Sequence, residues 1–144
     1  MILPDVNVLL YAFRPDAPDH ARWHRWLEAV VNGDEPFGMS PQVLASVVRI
    51  ATHPRIFSRP DVREDVLAFC TALIGRPNCQ IIQPGPRHWS IFGDLCRKAD
   101  AAGNLVQDAW FAALAIDSGC EWVTTDRDYA RFPGLRYRSS PERQ

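Results

Sequence analysis

Lysine is almost missing from this chain. Of its 16 positive charges only Lys98 is a lysine, and the rest are arginines. Seventeen acidic residues offset them, so the net charge is −1. That balance excludes a uniformly cationic surface for polyanions; a nucleic-acid partner would have to meet a local cationic region or a bound metal ion. Long apolar runs are missing too. None reaches the roughly 18 residues of a membrane-spanning helix. Asp5 and Asn7 interrupt the N-terminal apolar stretch too early for a secretory leader. The four cysteines, Cys70, Cys79, Cys96 and Cys120, make no C-x-x-C pair and lie in apolar surroundings, which reads as reduced thiols in a cytoplasmic protein. No G-x-S-x-G motif, Gly-rich phosphate loop or Cys/His zinc cluster is present. The expectation is a soluble, cytosolic protein.

What is present is an ordinary globular composition, 144 residues with 47% apolar and 23% charged, enough for one domain with a real core. Strand and helix signals alternate along it. Residues 1–3 read as a buried strand, and 6–13 open a helix. A second helix starts at Asp16 or Asp19 and runs to about Asn32, with Trp23, Trp26, Leu27, Val30 and Val31 at i, i+3, i+4, i+7, i+8. Residues 36–39 suggest a strand. Ser40-Pro41 supplies an N-cap and a first-turn proline for a helix to about Thr52. Further helices are expected over 60–74 and 87–102, with a strand at 79–83 between them. Asn104 and Gln107 have N-cap spacing before an apolar helix that Ser118-Gly119 closes, and 121–125 is a strand. The pattern predicts an α/β fold of three layers, α/β/α, with a mostly parallel central sheet flanked by helices. Residues 1–138 form the domain and 139–144 an irregular tail.

Three acids share a context. Asp5 follows the first strand, Asp126 follows the strand EWVTT with Asp128 two residues on, and Asp108 lies near the start of an almost wholly apolar helix. Ligand sites in open α/β sheets collect at the carboxyl ends of strands, so Asp5 and Asp126 can converge there. Converging carboxylates repel one another unless a cation separates them, and hard oxygen donors select Mg²⁺ or Mn²⁺. Each acid also has a plainer role: Asp5 as an N-cap, Asp108 at the positive end of its helix, Asp126 and Asp128 as turn residues.

Asp5-x-Asn7, the segment VVRIATHPRIF (47–57), GNLVQDAWFAALAIDSGC (103–120) and WVTTDRDYARFPGL (122–135) together resemble the PIN-domain family, and more narrowly the VapC-type toxins of toxin–antitoxin pairs. The resemblance spans nearly the whole chain. It implies a Mg²⁺- or Mn²⁺-dependent endoribonuclease in which Asp5, Asp108 and Asp126 form the metal-binding, catalytic cluster, supported by Asn7, Thr125 and Asp128. It also implies an RNA substrate, a VapB-like antitoxin and a homodimer. One position departs from the family pattern. A Glu is common in the helix opened by Ser40-Pro41, where L-A-E-x-x-R is replaced by Leu44-Ala45-Ser46-Val47-Val48-Arg49. Ser46 can bond a metal-bound water but supplies no charge, which favours a one-metal site centred on Asp5 and Asp108 and leaves a second reading open: a catalytically weak or inactive PIN-like module that binds RNA or protein.

Other residues carry weaker signals. Trp23, Trp26 and Leu27 have the spacing of a covered helix face, and the resemblance makes them candidates for a groove that receives an antitoxin segment. His20 and His24 stand at i, i+4 without a third ligand, so a solvated face is expected rather than zinc. Arg49 and Arg55 flank a His-Pro turn, where surface roles outweigh phosphate contacts. Asp5-Val6-Asn7 lacks the second acid of the D-x-D motif that a phosphatase on another α/β fold would need.

Overall fold

The computed structural model describes residues 1–142. Every strand is short and all the pairing is parallel, so each crossover is made by helices, as parallel pairing demands. The chain runs β1 (Ile2–Pro4), α1 (Val6–Phe13), α2 (His20–Asn32), β2 (Phe37–Met39), α3 (Pro41–Ala51), α4 (Arg63–Ile74), β3 (Cys79–Ile81), α5 (His88–Lys98), α6 (Asn104–Ser118), β4 (Glu121–Val123), a 3₁₀ turn (Arg127–Arg131) and β5 (Tyr137–Arg138). β4 is the centre of a three-stranded sheet, with β1 on one side (Leu3 opposite Trp122) and β5 on the other (Trp122 opposite Tyr137). β2 and β3 make a second parallel pair, Gly38 opposite Gln80. That pair lies against β1, and Gly38 is needed there: a Cβ would come within 2.8 Å of Ile82 Cγ1 and 3.3 Å of Ile2 O.

The core runs through both helical layers. Leu3, Val8, Leu9, Met39, Val47, Ala112 and Trp122 are wholly buried. α1 packs against both α2 and α3, and α3 against α4, while α5 pairs with α6, which rests on β4. This is the α/β/α arrangement with a parallel sheet that the alternation of elements predicts.

Several ends differ from expectation, each for a physical reason. The helix expected over 60–74 begins at Arg63, because Asp61 is held elsewhere: its N–H donates to Ala51 O (2.8 Å) and its Oδ2 accepts from Arg14 Nη1 (2.6 Å). The helix expected over 87–102 covers only His88–Lys98; Asp100 adopts φ +48° and the Ala101 N–H turns back to Cys96 O (2.9 Å). The expected Asn104 cap is not made. Asn104 is the first helical residue and Gly103, at φ +59°, precedes it with no side-chain cap. Asp19 likewise precedes α2 in a left-handed conformation without capping it. Ser40 does cap α3, accepting from Val43 N–H at 3.3 Å with Pro41 next. The third and fourth strands close two residues earlier than expected, and β5 has no sequence signal of its own; it forms by pairing on β4.

Residues 139–142 carry no helix or strand, but Glu142 is ion-paired with Arg22 of α2 (2.5 Å); the rest of the expected tail, 143–144, lies outside the described residues. The four cysteines are free, Cys70 and Cys120 buried. No helix among the described residues is long and apolar enough to cross a membrane. His20 and His24 are not simply solvated. Their Nδ1 atoms lie 2.7 and 3.2 Å from Tyr11 O and Ala12 O, satisfying carbonyls that the end of α1 leaves without helical partners.

Candidate functional site

The site is built where β1 and β4 end side by side. Asp5 leaves β1 with its backbone N–H bonded to Val123 O (2.8 Å) and caps α1. Its carboxylate is only 5% exposed, and both oxygens are engaged: Oδ1 accepts from Val6 N–H (2.6 Å) and Oδ2 from the Thr124 hydroxyl (2.7 Å). Capping and site membership are therefore not alternatives here. The same Thr124 oxygen accepts the Asp126 N–H (3.0 Å), so one wholly buried hydroxyl spans the first and last acids. Asp126 Oδ1 in turn accepts the Asp128 N–H (2.9 Å), which starts the 3₁₀ turn. α6 brings in Asp108, half-buried, and the Tyr129 hydroxyl donates to its Oδ1 at 3.4 Å.

One carboxylate oxygen from each of Asp108, Asp126 and Asp128 lies within 4.8 Å of the others. Asp5 stands outside this triad, joined to it through Thr124 and through its charge. Burial, reinforced by Asp108 and Asp126, raises the Asp5 carboxyl to about 6 against the hydrogen bonds of Thr124 and Val6. Burial and the Asp126 charge raise Asp108 to about 6, against the Tyr129 bond. These shifts are what acids show when crowded together in a partly dry site. All the donors are hard oxygens, and a divalent cation would relieve the repulsion among them; the residues present fit Mg²⁺ or Mn²⁺.

Asn7, Ser46 and Thr125 are half-buried, and none makes a side-chain hydrogen bond among the described residues. Asn7 lines a groove of about 230 Å³ with Tyr11, Arg14, Ile50 and Phe57. Of the three α2 groove candidates, Trp23 (2% exposed) and Leu27 (5%) are closed within the core. Trp26 is half-buried and lines a recess of about 360 Å³ beside Phe37 and Pro141. Thr124 and Tyr129 escaped sequence reasoning. A period-two continuation of β4 puts Thr124 on the Trp122 side and Thr125 on the other, a signal that could have chosen between the two threonines. Tyr129 carried no more than its place in TDRDY.

Residues 2–135 match the family described as PIN domain. The chain belongs to the PIN-domain family. Within that family it is similar to Ribonuclease VapC43 of Mycobacterium tuberculosis, 41% identical over 138 residues covering 96% of this chain and 94% of that protein. It is equally similar to Ribonuclease VapC31 of the same organism, 41% over 141 residues covering 98% and 99%. Among solved structures the PIN fold superposes on the Rickettsia felis VapBC2 complex bound to a DNA fragment from its promoter. That match has a TM-score of 0.70 at 22% identity and covers 96% of this chain and 98% of that one. VapBC-1 from nontypeable Haemophilus influenzae gives 0.68 at 18% identity, covering 96% and 97%. The resemblance stated from the residues thus holds over nearly the full PIN domain.

Proposed function

We propose that this PIN-domain protein is the toxin of a type II toxin–antitoxin pair, a VapC-like endoribonuclease that hydrolyses RNA phosphodiester bonds in the cytoplasm. The carrying observation is the carboxylate group at the ends of β1 and β4, where the Asp108, Asp126 and Asp128 oxygens approach within 4.8 Å. Near-full-length relatives named ribonucleases support the reading.

Asp108 and Asp126 would hold Mg²⁺ or Mn²⁺, with Asp5 and Asp128 at its margins. A bound cation of this kind would lower the pKa of a water so that hydroxide is available as nucleophile, and would offset charge on the phosphate. The protein's own part is positional. Thr124 fixes Asp5 relative to Asp126, and Tyr129 constrains Asp108. No other acid among the described residues joins the cluster to take the place of a Glu at Ser46, so a single cation is the simpler occupancy. A VapB-like antitoxin is the expected partner and a homodimer the expected assembly.

Purified protein free of antitoxin should cleave RNA with Mg²⁺ and stop in EDTA. Asp108→Asn should lower the rate at least about a hundredfold, on the order of what metal-centred electrostatic stabilisation contributes. Equal cleavage in EDTA overturns the mechanism. Cation binding with no cleavage would instead favour the weak or inactive binding module that Ser46 brings to mind.

A further inference from the structure

The acids of the site are held by different donors. Asp126 has Oδ1 bonded to a backbone N–H of its own turn, and Asp5 has both oxygens bonded. Asp108 has one side-chain donor among the described residues, the Tyr129 hydroxyl on Oδ1, and its Oδ2 accepts none. Tyr129 cannot swing away from this duty. It is 1% exposed, with Trp122 and Phe132 against its ring at centroid distances of 5.4 and 5.9 Å. The packed ring holds the hydroxyl where it donates to Asp108.

We infer that Tyr129 is a positioning residue that occupies one oxygen of Asp108, leaves the other for the cation, and thereby favours Mg²⁺ or Mn²⁺ over Ca²⁺. The inference rests on the metal-site reading above. Its chemical basis is the difference in how the ions use carboxylates. Ca²⁺ takes about 6–8 oxygens at roughly 2.3–2.6 Å and readily draws both oxygens of one carboxylate, whereas Mg²⁺ demands six in near-octahedral order at about 2.0–2.1 Å. An Asp108 with one oxygen already claimed suits the second habit and penalises the first. Freeing that oxygen would loosen the geometry that the smaller ion needs and admit the larger one.

The test is calorimetric titration of Mn²⁺, Mg²⁺ and Ca²⁺, without RNA, into the wild type, Tyr129→Phe and Asp108→Asn. The Phe ring keeps the Trp122 and Phe132 contacts, and melting in EDTA verifies that the variant folds. Tyr129→Phe should weaken Mn²⁺ binding about tenfold, the lower end of the range for residues that orient a ligand, while Ca²⁺ binding weakens less, so that the Mn²⁺/Ca²⁺ affinity ratio falls severalfold. An unchanged ratio overturns the inference, whether both affinities stay put or both drop together. If the wild type binds none of the three ions, or Asp108→Asn binds them as well as the wild type does, the metal site itself fails and the inference with it. Tight binding lost in Asp108→Asn with an unaltered ratio in Tyr129→Phe sinks the inference alone.

Discussion

Thr124 shows how much of the site rests on one hydroxyl. It donates to Asp5 at 2.7 Å and accepts from the Asp126 backbone at 3.0 Å while wholly buried. A hydrogen bond to a charged group contributes about 1.5–3 kcal/mol, and this one favours the ionised form of Asp5, whose carboxyl burial still raises to about 6 with the bond in place. Thr124→Val keeps the shape and removes the donor. We expect it to cost on the order of 2 kcal/mol at pH 8, where Asp5 is charged, and distinctly less at pH 4.5, where it is protonated. Chemical denaturation at the two pH values checks this, and an equal loss at both would show that the bond is not charge-assisted. Cation affinity has a related dependence. Asp108 must shed its proton to hold a cation and ionised Asp5 adds negative charge beside it, and both carboxyls are raised to about 6. Mn²⁺ affinity measured by calorimetry should therefore fall steeply as pH drops from 7 to 5.

Between elements, Arg14 is the tie that sequence patterning could not reveal. It sits just past α1, 5% exposed, with its guanidinium 3.6 Å from the centre of the Phe57 ring, and it bonds Asp61 at 2.6 Å and Asp16 at 3.1 Å. Through Asp61 it fastens the end of α1 to the stretch before α4. Truncating one member of a buried pair leaves the other charge stranded and costs about 3–5 kcal/mol. Asp16 is 68% exposed and Asp61 26% exposed, so solvent softens the loss. Arg14→Ala should accordingly destabilise by about 2–3 kcal/mol in urea denaturation; a change below about 0.5 kcal/mol would mean that solvent has screened the pair. The Ser40 cap is a smaller item of the same kind. Ser40→Ala should cost about 1 kcal/mol, visible as a lower melting temperature with the fold intact.

At the scale of the molecule, the acid cluster sets how stability depends on pH. In the folded chain Asp5 and Asp108 titrate near 6, above the ordinary 3.8. The folded state therefore holds more protons than the unfolded one between about pH 4 and 6, and stability falls as pH rises through that window. For buried Asp5 the loss is on the order of 3 kcal/mol once the pH is well above 6; Asp108, half-buried, adds less. In EDTA the contribution of these acids should make the protein harder to unfold at pH 5 than at pH 7.5. A divalent cation that binds only the folded state should restore stability most at pH 7.5. Thermal melts with EDTA or with Mn²⁺ at the two pH values test this, and a Mn²⁺ effect larger at pH 5 would contradict it.

The alternation of apolar runs with Gly, Pro and Ser punctuation by itself determined the α/β class, the parallel sheet and the strand-end placement of Asp5 and Asp126, because hydrophobic period and capping chemistry act within a few residues. Ser40-Pro41 and Ser118-Gly119 marked helix ends for that reason. Tertiary structure decided what depends on distant partners. Asp61 left its expected helix for Arg14, 47 positions away; β5 exists only against β4; Thr124 rather than Thr125 reached Asp5 across 119 positions. Tyr129 met Asp108 because α6 and the turn after β4 pack together. Local spacing carries no record of such meetings, since their energy arises only when folding brings separated groups out of water and into contact.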